Sequence, residues 1–310
     1  MPALLRLGTR KSPLALAQCA LVQDALSQRV PELAEADAVA VVTIVTSGDR
    51  IVDRALADVG GKGLFTKEID TALLEGEIDA AVHSCKDLPT QLPDGIVLAA
   101  VLPREDPRDV LIARQARTIA ELPPGGTVGT ASLRRQAQVL RHRPDLRIRV
   151  LRGNVARRIA QVEDGAVDAT FLALAGLRRL GLADGASAVI DPAEMLPAVG
   201  QGAIAVTCRE ADQATRARLA ACDDALSHAC IRAERAMLAV LDGSCRTPIG
   251  GLAEADGHLL HLRGLVARPD GSDVIADAQI GRPAEPEDLG HAVGEALKRR
   301  AGPGFLAEAG

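Results

Sequence analysis

The sequence predicts an α/β chain: two similar lobes with a ligand cleft between them, followed by a small α+β domain at the C-terminus. Three observations carry this. Apolar runs rich in β-branched residues, AVAVVTIV (38–45) and IDAAVH (78–83), alternate with helical stretches. That is the pattern of strands covered on both faces in a mostly parallel sheet. The same grammar then returns: TVGTASLRRQAQ (127–138) repeats RLGTRKSPLALAQ (6–18), RIRVLRGN (147–154) repeats TIVTSGD (43–49), and GAVDATFLA (165–173) repeats GEIDAAVHS (76–84). Two copies of one unit in one order predict two lobes of one architecture. After residue 222 the pattern changes to a helix, then alternating strands with ADGH and PDGS hairpin turns, then a last helix near 286–300.

Each element has a local reason. LLRLG (4–8) is a short strand, and the turn from Gly8 to Ser12 leads to a helix capped by Ser12 that takes Pro13 in its first turn. The run 38–45 ends in Thr46-Ser47-Gly48-Asp49. Gly60-Gly61-Lys62-Gly63 is a loop, and Thr66 caps a helix to about Glu75. IDAAVH leads into Ser84-Cys85-Lys86-Asp87 at the carboxyl end of a strand. PREDPRD (103–109) carries the chain to the second lobe, and IDPAEMLPAVGQG (190–202) returns it to the first. The expected boundaries are therefore 1–102 with 203–221 for the first lobe, 108–195 for the second, and 222–310 for the C-terminal domain. The core must be aliphatic, because 310 residues include three Phe and no Tyr or Trp.

Composition excludes several functions. The longest apolar run, IVLAAVL (96–102), stops at Pro103, far short of the roughly 18–20 residues of a membrane helix. The N-terminal segment lacks the apolar stretch of a signal peptide, so a cytoplasmic protein with no membrane partner is expected. A net charge of −5 and the lack of aromatic stacking platforms argue against nucleic acid. Six cysteines show no C-x-x-C spacing and no H-E-x-x-H is present, so no metal is expected. The charge is uneven: residues 125–182 hold eleven Arg, no Lys and four acids, a local +7 that leaves −12 for the rest. An arginine-only basic segment in an acidic chain points to a local anion site.

In open α/β sheets ligands bind beyond the carboxyl ends of strands, beside helix N-termini. Arg10, Lys86, Asp87, Arg134, Arg135, Arg152, Arg158 and Arg179 fall there, whereas Arg141, Arg143 and Arg157 read as a solvated helix face. A small polycarboxylate or phosphorylated ligand suits such a set. Asp87 is a solvated loop charge or a functional carboxylate. Cys245, in LDGSCRTPIGG, is a buried hydrophobe or an accessible functional thiol. A clamshell receptor without chemistry would share the lobes but has no need of that cysteine loop.

VHSCKDLPT (82–90), REDPRD (104–109), VGTASLRRQ (128–136), LRGNVARR (151–158), LPAVGQGA (196–203) and GSCRTPIG (243–250), in this order, resemble the porphobilinogen deaminases (hydroxymethylbilane synthases). The resemblance implies a transferase of tetrapyrrole biosynthesis. Such an enzyme condenses four porphobilinogens head to tail, releases ammonia, and hydrolyses off linear hydroxymethylbilane. It implies two lobes like type-two periplasmic binding proteins and a dipyrromethane cofactor joined to Cys245 through a thioether. It also implies Asp87, Arg10 and Lys86 as catalytic residues. Lys86, Asp87, Gly129, Thr130, Ser132, Arg134 and Arg135 would hold the cofactor. Arg10, Ser12, Lys62, Arg152, Arg158, Arg179 and Gln201 would bind substrate. The implied state is a monomer.

Overall fold

The computed structural model describes residues 3–35, 37–50, 63–242 and 247–305. The chain opens with β1 (Leu5–Arg10), α1 (Pro13–Arg29), β2 (Val39–Ile44), the single turn α2 (Ser47–Arg50), α3 (Lys67–Leu74), β3 (Ala80–Ser84) and β4 (Ile96–Val101). The Ser12 hydroxyl accepts from Ala15 N at 3.3 Å, as its capping role predicts. Ala15, Gln18, Cys19, Val22 and Leu26 are the buried residues of α1, at helical spacing. Cys19, Val22 and Leu26 pack with Leu5, Leu7, Val39 and Val82 of the strands. Thr66 stands at the N-cap of α3, but its side chain makes no capping hydrogen bond.

The chain then forms β5 (Asp109–Ala113), β6 (Thr127–Gly129), α4 (Leu133–His142), β7 (Arg147–Arg149), α5 (Val155–Glu163), β8 (Ala169–Ala173), α6 (Leu174–Arg179) and β9 (Ala188–Val189). Next come β10 (Ile204–Arg209), α7 (Gln213–Ala220) and α8 (Ala225–Val240). The strands β11 (Ile249–Asp256), β12 (Leu259–Ala267) and β13 (Val274–Gly281), and α9 (Pro286–Ala301), complete it.

The repeat is visible in the topology. One five-stranded sheet has the order β2-β1-β3-β10-β4 and the other β7-β6-β8-β5-β9. Position by position, β1, β2 and β3 correspond to β6, β7 and β8. The fourth place of each sheet is filled by the strand that follows a crossing: β10 in one, β5 in the other. Each sheet is mostly parallel, as expected, with four strands running one way and a single reversed strand, β10 in one and β5 in the other. The first three strands of each run parallel, but β10 lies antiparallel to β3 and β4, and β5 to β8 and β9. Strand direction there is set by which end of the sheet the crossing segment enters, which residue pattern does not encode. The β-branched run of β2 is also not covered on both faces. It is the edge of its sheet, with Val41 at 40% exposure.

Two compact units emerge from the packing. Of the described residues, one comprises those within 3–50, 63–105 and 203–228; the other comprises those within 106–202 and 229–305. The second unit thus contains both the second five-stranded sheet and the antiparallel sheet β11-β12-β13. Helices α8 and α9 cover that small sheet through Met237, Leu241, Leu289, Val293 and Leu297 against Leu260, Leu262 and Val266. Polar contacts help bind it to the rest of its unit. Glu234 of α8, wholly buried, accepts from Gly200 N at 2.7 Å and from Ala253 N of β11 at 2.8 Å. The β12–β13 turn rests on α4, where Gln136 Nε2 donates to Pro269 O at 3.1 Å. Gly271 in that turn has φ +73°, and a Cβ there would stand 2.5 Å from Arg141 N.

Candidate active site

In the first unit the carboxyl ends of β1 and β3 build one recess. Arg10 is the last residue of β1, and Asp87 ends the 3-10 turn Cys85–Asp87 that follows β3. Cys85 N donates to Ala203 O at 3.0 Å and Leu88 N to Cys85 O at 3.1 Å, which fixes the turn. Arg10, Ser12, Gln18, Phe65, His83 and Asp87 line a cavity of about 50 Å³. Arg10 Nη1 lies 4.0 Å from Asp87 Oδ2, and both side chains are partly exposed. A half-buried carboxylate held near, but not on, a guanidinium keeps its oxygens available to a cationic or N–H-bearing ligand. Lys86 is half-buried on the same turn.

Five residues in and around this recess were not among the expected site residues: Asp49, Phe65, Gln18, Ser84 and His83. Asp49 grips Arg10. Burial pushes the Asp49 carboxyl up, but hydrogen bonds from Arg10 and Thr46 outweigh it and hold the group below its ordinary value. Phe65 lies under the Arg10 guanidinium, 4.3 Å from carbon to ring centroid. Gln18 and Ser84 exchange hydrogen bonds of 2.8 and 3.1 Å. His83 is buried beside Thr207, with Nε2 3.2 Å from Oγ1. Burial, helped by the Arg10 charge, lowers its pKa to about 4, so it is neutral. A polar residue inside an apolar strand, as in AAVHS, was the available signal for His83.

In the second unit the arginine pair is an interior feature. Arg134 and Arg135, 4% and 6% exposed, converge on Asp109, which is wholly buried. Arg134 Nη1 donates to Asp109 Oδ2 at 2.7 Å and to Leu196 O at 2.8 Å. Arg135 donates Nε and Nη2 to Asp109 Oδ1 at 3.1 and 2.7 Å, and Nη1 to Phe171 O. Gln201 Nε2 adds bonds of 3.1 Å to Asp109 Oδ1 and 2.7 Å to Pro107 O. Burial lowers the Arg134 pKa; Asp109 opposes this, and the adjacent Arg135 charge reinforces it. Among the described residues, two guanidiniums share one carboxylate here. Asp109 was legible only as the end of the crossing segment.

Of the other expected residues of this unit, Gly129 ends β6, Thr130, Ser132, Arg152 and Arg158 lie in loops and helix starts, and Arg179, expected beside a helix N-terminus, is instead the last residue of α6, because that helix is only six residues long. Ser132 caps α4 by accepting from Arg135 N at 3.4 Å. Thr130 is buried and accepts from Ser132 N at 3.1 Å, while Gly129 O accepts from Thr170 Oγ1 at 2.7 Å. Arg158 Nε donates to Gly153 O at 2.9 Å, Arg179 Nη2 to Gly202 O at 2.6 Å, and Arg152 is half-buried. Arg143 is not part of a solvated face. Its guanidinium binds Asp145 and the carbonyls of Ala120 and Leu122, pinning the end of α4. Arg141 and Arg157 are exposed, as expected. Lys62 and Cys245 lie outside the described residues.

Residues 5–217 match the family model described as "Porphobilinogen deaminase, dipyromethane cofactor binding domain", and residues 228–299 match "Porphobilinogen deaminase, C-terminal domain". The chain belongs to the porphobilinogen deaminase family. A porphobilinogen deaminase from Nitrobacter winogradskyi is 52% identical over 97% of this chain and 94% of its own. The chloroplastic porphobilinogen deaminase of Oryza sativa subsp. japonica is 50% identical over 98% and 86%. Among solved structures, a TRAP periplasmic solute binding protein from Desulfovibrio salexigens aligns with 71% of this chain and 72% of its own, at 10% identity and a TM-score of 0.41. Membership in the porphobilinogen deaminases makes the chain a transferase of tetrapyrrole biosynthesis that forms hydroxymethylbilane and works with a dipyrromethane cofactor. No described helix is long and apolar enough to cross a membrane.

Proposed function

We propose that Asp87 is the catalytic carboxylate of this transferase, that Arg10 and Lys86 act beside it, and that Cys245 carries the cofactor. The observation that carries the reading is the recess in which Arg10, Ser12 and Asp87 meet, with Arg10 Nη1 4.0 Å from Asp87 Oδ2. Loss of ammonia from porphobilinogen leaves a positively charged azafulvenium. The Asp87 carboxylate stabilises that charge through the pyrrole N–H and receives a proton at Oδ2. Arg10 and Ser12 bind a carboxylate of the incoming substrate and orient it.

The second unit fits a polyanionic dipyrromethane. Among the described residues, Arg134 Nε is buried without a hydrogen-bond partner, and two guanidiniums share the Asp109 carboxylate. Arg134, Arg135, Ser132, Thr130, Gly129 and Lys86 would hold the group with Asp87. When bound it supplies a free pyrrole α-carbon as the nucleophile for chain growth. Arg152, Arg158, Arg179, Gln201 and Lys62 take the acetate and propionate groups. A hydrogen bond to a charged group contributes about 1.5–3 kcal/mol. The other five cysteines are all buried, which supports the reading of Cys245 as the thiol for attachment. The enzyme works in the cytoplasm as a monomer, and terminal hydrolysis releases the product.

Intact mass tests this. Isolated protein should exceed its sequence mass by two linked pyrrole units, and Cys245→Ser should lose that increment. Asp87→Ala should keep the wild-type circular dichroism spectrum but stop ammonia release from porphobilinogen. Normal turnover in Asp87→Ala would overturn the reading.

A further inference from the structure

In the first unit one guanidinium faces two carboxylates and is bound to only one of them. Arg10 Nε lies 3.2 and 3.3 Å from the two oxygens of Asp49, and Nη2 donates to Asp49 Oδ1. Its Nη1 stops 4.0 Å from Asp87 Oδ2, outside hydrogen-bond range. Asp49 is itself pinned. Buried Thr46 donates to Asp49 Oδ2 from its backbone N at 3.2 Å and from Oγ1 at 2.8 Å. The same turn seats the aromatic floor. Gly48 N donates to Leu64 O at 2.8 Å, and a Cβ on Gly48 would stand 2.3 Å from the Phe65 ring. The plane of the Arg10 guanidinium is thus held from one edge by Asp49 and from one face by Phe65.

We propose that Asp49 is a positioning residue that restrains Arg10 and so prevents it from capturing the Asp87 carboxylate. This rests on the reading of Asp87 given above. A forked guanidinium one ångström short of a carboxylate in a partly desolvated recess gains by closing on it. What opposes closure is that the Nε and Nη2 edge is already occupied. Were Arg10 to close on Asp87, the carboxylate oxygens would be taken up and its proton affinity would fall. It could then neither shelter the positive charge nor receive the proton. Among the described residues of this unit, the charged and titratable groups around Asp87 are Arg10 from β1, Asp49 from α2, His83 from β3 and the adjacent Lys86; Glu68 of α3 accepts from Ser47 N in the Asp49 turn. His83 is neutral and Asp49 ionised over the working range, so Arg10 and Lys86 are the positive charges beside Asp87 among the described residues.

The test is the pH dependence of kcat for Asp49→Asn, Asp49→Glu and Thr46→Val, with circular dichroism to check each fold. Asp49→Asn should lower kcat about tenfold or more and move its acid limb about half a pH unit or more downward, because Arg10 now pairs with Asp87. Thr46→Val should move the limb the same way by less, and Asp49→Glu should restore both quantities toward wild type. An acid limb that stays in place in Asp49→Asn overturns the proposal, whether or not kcat falls, since a merely structural role lowers the rate without moving the limb. Should Asp49→Asn fail to fold, Thr46→Val decides on the same criterion. Asp87→Asn assayed alongside separates the two readings. If it is inactive while the limb does not move, only the role of Asp49 is lost; if it turns over normally, the reading of Asp87 is lost as well.

Discussion

Replacing Asp109 with Asn tests how the second unit tolerates two arginines in its interior. The carboxylate is 0% exposed and receives four hydrogen-bond donors, from Arg134 Nη1, Arg135 Nε and Nη2, and Gln201 Nε2, at 2.7–3.1 Å. Asparagine keeps the volume and one oxygen, but removes the charge and turns the other acceptor into a donor facing a guanidinium. Breaking a buried ion pair by removing one partner costs about 3–5 kcal/mol, because the partner stays buried and uncompensated. Here two guanidiniums are left, so the cost should fall in that range. With no Trp or Tyr, fluorescence is a poor probe, and urea unfolding should be followed by far-ultraviolet circular dichroism. A loss of 3–5 kcal/mol moves the midpoint by on the order of 1 M or more. Hydrogen exchange over α4 locates the loss in this unit and guards against a transition that is not two-state. A loss below about 1 kcal/mol would refute the reasoning, since it would mean that Arg134 and Arg135 need no interior counter-charge.

Three further outcomes follow from the geometry. His83 has a native pKa of about 4 against 6.5 in the unfolded chain, so the unfolded state binds the extra proton between those values. Its contribution, on the order of 3 kcal/mol, is present above pH 6.5 and lost as pH falls toward 4; His83→Gln should flatten urea midpoints across that window. Gly271→Val should destabilise the second unit by roughly 1–3 kcal/mol, because φ is +73° and the new Cβ would meet the α4 backbone at 2.5 Å; a variant as stable as wild type would contradict the packing. Burial pushes the Cys19, Cys208 and Cys222 thiols up to about 11, so iodoacetamide near neutral pH should spare them in the native protein and label them in urea. Rapid native labelling of any of these, read by peptide mass, would contradict their burial.

The repeat was legible because hydrophobic period and turn chemistry are local properties: Ser12 before Pro13, and Ser132 before Leu133, announce their helices without reference to anything distant. The order of motifs likewise exposed Asp87 and the arginines. Local pattern could not set the direction of β5 and β10, since each reaches its place only after a crossing from elsewhere in the chain. Nor could it reveal what each arginine faces. Arg134 and Arg135 were legible as a basic pair at a helix start, and only folding shows that they also meet Asp109, some 25 residues earlier in the chain. Arg10 is 39 residues from Asp49, and Phe65 carries no motif of its own.

By itself, then, the amino-acid order determined the elements, their duplication and the chemical type of the site. Tertiary structure alone decided which guanidiniums meet the interior carboxylate of Asp109 and which stands near the partly exposed one of Asp87. The physical reason is that charge pairing depends on distance and desolvation, and both are created only when strands remote in sequence are brought side by side.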